Sequence, residues 1–282
     1  MNQVYLNGDF LPAEQAQVSV FDRGFLLGDG VYEVIPVYQG NCFQLDGHLV
    51  RLQASLDAVR MKNPHSNREW EKIINELIKL NGDGNQSLYL QVTRGVAPRD
   101  HVFPENVSPT AFAMSNPLQA VSAEYKNEGV KAIILADIRW QNCNVKAITL
   151  LPNSLLKQQA LEAGAVEALL IREGYLTEGA ASNAYVVLDG TIYTAPKDEK
   201  VLAGITRDVV IQIAHDNNMP LKEVAVTVQQ LKEADEIWIS SSTKEVIAVT
   251  QLDDSPVANG KPGPIWQKMD ALYQQFKRSD TT

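Results

Sequence analysis

The stretch Tyr185-Val186-Val187-Leu188-Asp189-Gly190-Thr191-Ile192-Tyr193 reads as two β-rich runs joined by a two-residue turn. Asp-Gly tolerates the positive φ angles of a tight hairpin, so the two runs are antiparallel neighbours. Just upstream, Glu173-Gly174 marks another hairpin. Hairpins interspersed with helices, without a strand-helix-strand rhythm, argue for an α+β arrangement over a doubly wound sheet.

Working outward, Val4-Tyr5-Leu6 followed by Asn7-Gly8 predicts a strand entering a turn. Leu49, Leu52, Leu56 and Val59 recur at helical spacing behind Asp46, the expected N-cap. A second helix is bounded by a capping-box pattern, Ser66 and Glu69, and by Gly82. Its apolar face is Trp70, Ile73, Ile74, Leu77 and Ile78. Leu88, Leu90 and Val92 alternate with polar or aromatic residues, as a half-buried strand requires. Asn116 to Ser122 has weak periodicity and a proline, which places domains at 1–117 and 123–282 with a linker at 118–122. Beyond it come a strand at Val130–Ile138, an irregular segment from Arg139 to Pro152, and a helix from Ser154 to Ala163. Further helices follow Gly204 and run from about Ile265 to Phe276.

Composition narrows the function classes. A formal charge of -9 leaves no electrostatic footprint for nucleic acid or an anionic membrane. No apolar run reaches the roughly 20 residues of a membrane span, and the polar start is not a signal peptide. The two cysteines, Cys42 and Cys143, lack metal-ligand spacing and fit reduced thiols in the cytoplasm. No metal site is expected.

Several residues are candidates for chemistry. Lys146 has small, apolar or uncharged neighbours, and a desolvated lysine has the lowered pKa that Schiff-base formation uses. Taken alone it is more simply an edge lysine whose stem covers apolar surface. Gly204-Ile205-Thr206-Arg207-Asp208 opens a helix, so the N–H groups of Ile205 and Thr206 suit either a phosphate or an ordinary cap. Glu178 lies in a run of small residues ending in Ser182-Asn183, suited to a ring nitrogen or to a solvated turn. Arg99 and His101, two apart on a loop, suit carboxylate recognition or simple exposure. His48 and Arg51 share a helical face, by default facing water. The glycines of Asp22-Arg23-Gly24 and Gly28-Asp29-Gly30 serve tight turns, and Tyr32 by itself reads as packing.

Taken in order, these markers resemble the class IV aminotransferases, the pyridoxal 5′-phosphate (PLP) enzymes of fold type IV, and within them the D-amino acid transaminases. The resemblance rests on Asp22-Arg23-Gly24 with Gly28 to Glu33, on His48 to Leu52, Arg99-Asp100-His101 and Lys146 before Leu150-Leu151, and on Thr177-Glu178-Gly179 with Ser182-Asn183 and Gly204 to Arg207. It implies a two-domain α+β fold, with a smaller N-terminal α/β sandwich and a larger C-terminal pseudo-barrel that binds PLP. It implies that Lys146 carries PLP covalently and moves a proton between Cα and C4′. Glu178 partners the pyridine nitrogen. Arg51, the N–H groups of Ile205 and Thr206, and Ser242 hold the phosphate, with Ser182 also at the cofactor. Tyr32, Arg99 and His101 trap the substrate carboxylate, the last two across a homodimer interface.

The implied reaction is ping-pong transfer of an amino group, through pyridoxamine phosphate, between a D-amino acid such as D-alanine or D-glutamate and 2-oxoglutarate or pyruvate. An L-branched-chain transaminase and aminodeoxychorismate lyase share the fold. The glycine and basic residue usual in the branched-chain strand motif are absent from Tyr32 to Tyr38, and the Arg99/His101 pair counts against the lyase. Ala180 and Ala181 stand where related sequences often have serines, and Thr149 and Pro152 also depart from common choices.

Overall fold

The computed structural model describes residues 2–82 and 84–281. The chain divides into two compact units. One takes the residues through Gln119 and, after a gap in sequence, Val145–Thr149; the other takes Ala120–Asn144 and Leu150–Ser279. Lys146, which falls by sequence within 123–282, therefore packs with the first unit.

The first unit contains β1 (Gln3–Leu6), β2 (Asp9–Pro12), α1 (Arg23–Leu27), β3 (Gly30–Tyr38), β4 (Asn41–Cys42), α2 (Leu45–Ala58), α3 (Asn67–Asn81), β5 (Gln86–Thr93) and β6 (Thr110–Pro117). Its sheet has the order β2-β1-β6-β5-β3-β4, every pair antiparallel. The period-2 pattern of β5 buries Leu88, Leu90 and Val92 against Leu49, Leu52 and Leu56 of α2 and Trp70, Ile74 and Leu77 of α3. The capping box of α3 forms as expected, with Ser66 and Glu69 reciprocally bonded.

Asp46 is not the cap of α2. The chain enters that helix through Gln44 in the left-handed region, φ 55°, so Leu45 is already helical. Asp46 falls inside the first turn, where its charge still faces the positive end of the helix dipole.

The short segment around Lys146 behaves as an added edge on β3. Ala147 bridges Val31 in antiparallel fashion, the Tyr32 N–H donates to the Lys146 carbonyl at 2.9 Å, and the Ile148 N–H donates to the Gly30 carbonyl at 3.1 Å. Gly28 makes room beside it: its φ is +66°, and an added Cβ would meet Thr149 Cγ2 at 2.5 Å.

The second unit contains α4 (Ala123–Glu128), β7 (Val130–Ala136), α5 (Leu151–Glu162), β8 (Glu167–Arg172), β9 (Tyr175–Gly179), β10 (Asn183–Leu188), β11 (Thr191–Thr194), α6 (Ile205–Asp216), β12 (Leu221–Glu223), β13 (Val226–Thr227), α7 (Val228–Lys232), β14 (Glu236–Ser241), β15 (Glu245–Leu252), β16 (Ser255–Pro256) and α8 (Pro264–Asp280). Its curled sheet runs β12-β11-β10-β14-β15-β7-β8-β9-β13, with β16 beside β15. Both expected hairpins are present, β8–β9 and β10–β11, and Glu173, Gly174, Asp189 and Gly190 all have positive φ. Two parallel crossovers, β7–α5–β8 and β11–α6–β12, and the parallel pair β15–β7 interrupt the antiparallel pattern without making the sheet doubly wound. Helix α5 begins three residues before the expected Ser154 because Pro152 sits in its first turn, where a missing N–H is harmless. The architecture is α+β, as the hairpins required. No helix among the described residues is long and apolar enough to cross a membrane.

Candidate active site

In the first unit, Lys146 and Tyr32 come together because their backbones are hydrogen-bonded neighbours. The Lys146 Nζ lies 4.1 Å from the centroid of the half-buried Tyr32 ring, a cation–π distance. The Lys146 N–H is anchored by the Ser55 hydroxyl of α2 at 3.2 Å.

Arg51 and His48 do not face water. Both are buried and converge on Glu33, which is itself fully buried. Arg51 donates to both carboxylate oxygens, Nε to Oε1 at 2.7 Å and Nη2 to Oε2 at 2.6 Å, and His48 Nδ1 lies 2.8 Å from Oε2. Burial pushes the Glu33 carboxyl up, but the Arg51 charge and its hydrogen bonds with Arg51 and His48 dominate and bring it down to about 2. His48 is pushed below the usual imidazole value by burial. Strand parity contained a signal for this cluster. Val31, Glu33 and Ile35 share one face of β3, and a glutamate on an inward face needs cationic partners.

Arg99 and His101 are exposed on the loop after β5. The same part of the unit exposes Val20, Phe21, Phe25, Val96, Val102 and Phe103, with Phe25 74% and Val102 72% accessible. Antiparallel pairing of Asp22 with Val96 brings the two loops side by side.

In the second unit, Glu178 on β9 is buried, with both carboxylate oxygens engaged. Oε1 pairs with Arg139 Nη1, and Oε2 accepts from Asn183 Nδ2 at 2.9 Å and the Leu202 N–H at 3.1 Å. Burial pushes the carboxyl up to about 7 despite the opposing charge and hydrogen bond of Arg139. Asp137 in turn holds Arg139 at 2.9 Å and Arg172 at 3.0 Å. Sequence reasoning misses Asp137, Arg139 and the role of Asn183. The Asp-x-Arg spacing at 137–139 is the available signal, but it is too common to single out.

The Ser182 hydroxyl donates to the buried Glu167 at 3.0 Å, closing the turn between β9 and β10. Helix α6 starts on Gly204 with no side-chain cap. A Cβ at Gly204 would collide with the Asn183 carboxamide oxygen. The first N–H groups of the helix, on Ile205 and Thr206, have no acceptor within the helix by its geometry. Ser242 lies in the turn that joins β14 to β15.

Each unit by itself carries groups that fit the chemistry of PLP. Lys146 is a half-buried primary amine for an aldehyde, and Glu178 is a buried carboxylate whose raised pKa suits sharing a proton with a ring nitrogen. In the second unit a glycine-opened helix start suits an anion, and in the first unit a buried arginine does so independently.

Comparison with known proteins agrees. The sequence profile described as amino-transferase class IV matches residues 30–252. The chain is 41% identical to the D-alanine aminotransferase of Bacillus licheniformis over 279 residues, covering 99% of this chain and 98% of that one. It is 38% identical to the D-alanine aminotransferase of Staphylococcus haemolyticus, covering 99% of both chains. Among solved structures, the branched-chain aminotransferase of the thermophilic archaeon Thermoproteus uzoniensis with norvaline superposes with a TM-score of 0.91 at 26% identity, over 99% of this chain and 95% of that one. Profile, relatives and fold agree over nearly the whole length, and the chain belongs to the class IV amino-transferases, which are PLP-dependent enzymes.

Proposed function

We propose that this enzyme transfers amino groups between D-amino acids, such as D-alanine or D-glutamate, and 2-oxo acids such as 2-oxoglutarate or pyruvate. The observation that carries this reading is the near-full-length identity of about two positions in five to D-alanine aminotransferases. Likeness to a branched-chain aminotransferase is high in fold but lower in sequence, at 26%.

When bound, PLP supplies an aldehyde carbon for amine attachment and a ring that draws electrons from the substrate Cα. Lys146 would hold PLP by its aldehyde, and the Lys146 amine would move the proton at the substrate Cα. Its placement on the edge of β3 supports this role, because the backbone is fixed while the four-carbon stem swings. Glu178 keeps the pyridine nitrogen protonated, with Asn183 and the Leu202 N–H aiming its carboxylate. The phosphate ligands are Arg51, the N–H groups of Ile205 and Thr206, and the Ser242 hydroxyl. Glu33 holds Arg51 in one rotamer and keeps it desolvated without a net charge cost. Ser182 contributes by bracing the turn that carries Asn183.

Tyr32, Arg99 and His101 bind the substrate α-carboxylate, and the side on which they hold it selects the enantiomer. Arg99 and His101 reach the site of a second copy in a homodimer. The exposed Phe21, Phe25, Val96, Val102 and Phe103 around that loop support an interface there. Cytoplasmic residence accords with two free thiols, of which Cys42 is pushed by burial up to about 12.

The test is a visible spectrum of the PLP-loaded protein before and after D-alanine or L-leucine. Bleaching by D-alanine alone, reversed by 2-oxoglutarate, is the expected result. Bleaching by L-leucine alone moves the enzyme to the branched-chain reading. Indifference to both points to a lyase, and a colourless protein overturns the role of Lys146.

A further inference from the structure

The Asp22-Arg23-Gly24 and Gly28-Asp29-Gly30 motifs have no part in the chemistry above, yet they build a dense charged cluster. Asp29 immediately precedes β3 and receives two buried arginines. Arg23 Nε donates to Asp29 Oδ2 at 2.8 Å. Arg94 donates to the same oxygen from Nε at 2.7 Å and to Oδ1 from Nη2 at 2.9 Å. Burial pushes the Asp29 carboxyl up, and the hydrogen bonds and charges of Arg94 and Arg23 outweigh it, so the group stays ionised well below neutral pH.

One carboxylate cannot accept from every N–H of two guanidiniums, which leaves a demand for further acceptors. The loop that carries Arg99 and His101 answers part of it. Arg23 Nη1 donates to the Asp100 carbonyl at 2.6 Å and more weakly to the Val102 carbonyl at 3.4 Å. The Phe103 ring covers Arg94, with its centroid 3.8 Å from Cζ. Arg94 is fixed from the other side by the Val59 and Arg60 carbonyls at the end of α2. Backbone bonds reinforce the joint: the Arg23 N–H donates to the Gly95 carbonyl, and the Arg94 N–H to the Asp29 carbonyl. The loop is thus tied through planar, multidentate guanidiniums to the root of the strand that bears Tyr32.

We propose that Asp29, Arg23 and Arg94 are positioning residues for substrate recognition, fixing the backbone of residues 100–103 so that Arg99 and His101 meet the substrate carboxylate in one geometry. This rests on the reading of Arg99 and His101 as carboxylate ligands. Donor amino acid and acceptor 2-oxo acid share that carboxylate, so loosening the cluster weakens both substrates alike.

The experiment uses the PLP-loaded enzyme with Asp29→Asn, and with Arg23→Lys as a variant that keeps the charge but cannot reach Asp29 and the Asp100 carbonyl together. KM for D-alanine and for 2-oxoglutarate rises about tenfold in each, with kcat within about threefold. Amide exchange of the peptide covering residues 98–104 speeds up about tenfold while β5 and β6 keep their protection. Combined with Arg99→Ala/His101→Ala, Asp29→Asn adds nothing further to KM, because it acts through the two side chains already removed. Unchanged exchange in that peptide, or an additive effect on KM, overturns the proposal. Arg99→Ala with an unaltered KM instead sinks the carboxylate reading, and the purpose of the cluster with it. A normal KM in both cluster variants, with the Arg99→Ala defect intact, sinks the cluster proposal alone.

Discussion

The Lys146 ammonium lies 4.1 Å from the centroid of the Tyr32 ring, and the backbones of the same two residues are joined by a 2.9 Å hydrogen bond. The proposed reacting amine and a proposed substrate contact therefore have their backbones registered by the fold. Lys146→Ala and Lys146→Arg both lose at least about a hundredfold in turnover, since neither supplies a primary amine that attaches to PLP. Borohydride reduction followed by intact-mass measurement checks this: the wild-type chain keeps a cofactor adduct through denaturation, and neither variant does. An adduct on either variant places the covalent residue elsewhere.

Glu178 makes the protein without PLP sensitive to pH. Its folded pKa of about 7 is above the ordinary 4.5, so the folded state binds the extra proton between those values. Stability from this group is therefore present at low pH and lost as pH rises from 4.5 through 7, a decline of about 3 kcal/mol. Glu178→Gln flattens that slope in urea titrations of the cofactor-free protein at pH 5 and pH 8. In the loaded enzyme it slows the half-reaction with D-alanine while PLP stays bound, and an unaffected rate removes Glu178 from the mechanism.

Glu33 has the opposite sign. Its folded pKa of about 2 lies below 4.5, so its contribution is complete above 4.5 and is lost as pH falls through the interval between them. Glu33→Gln leaves Arg51 buried without its counter-ion and costs about 3–5 kcal/mol at neutral pH. Chemical denaturation measures this, and PLP affinity should fall with it because Arg51 loses its fixed rotamer. A change under 1 kcal/mol shows that the ion pair opens to solvent.

Gly28→Ala strains the backbone at φ +66° and drives Cβ to 2.5 Å from Thr149 Cγ2. The left-handed conformation alone costs about 1–3 kcal/mol. Pairing it with Thr149→Ala recovers the steric share and leaves the backbone share, so the thermal midpoint returns part of the way. Complete recovery shows that the conformational term is negligible here, and no recovery shows that Thr149 does not crowd the site.

Local patterns in the sequence reach the hairpins, the capping box of α3 and the half-buried alternation of β5, because each depends on residues within one turn or one strand. Asp46 is misread as a cap for the same reason in reverse: Gln44 adopts its left-handed conformation where β4 hands the chain to α2, and no local rule demands it of glutamine. The roles proposed for Lys146 and Glu178 come only from an ordered set of motifs, since each by itself reads as an ordinary surface residue.

What the tertiary structure decided is which charges meet. Arg51 and His48 lie 18 and 15 positions from Glu33, and Arg94 lies 65 from Asp29. Strand parity marks Glu33 as needing a cation, but nothing in the intervening sequence names which residue supplies it. Burial decides the rest, because a carboxylate takes its pKa from the solvent it loses and the cations it gains, and both are set by chain segments that are distant until the fold closes.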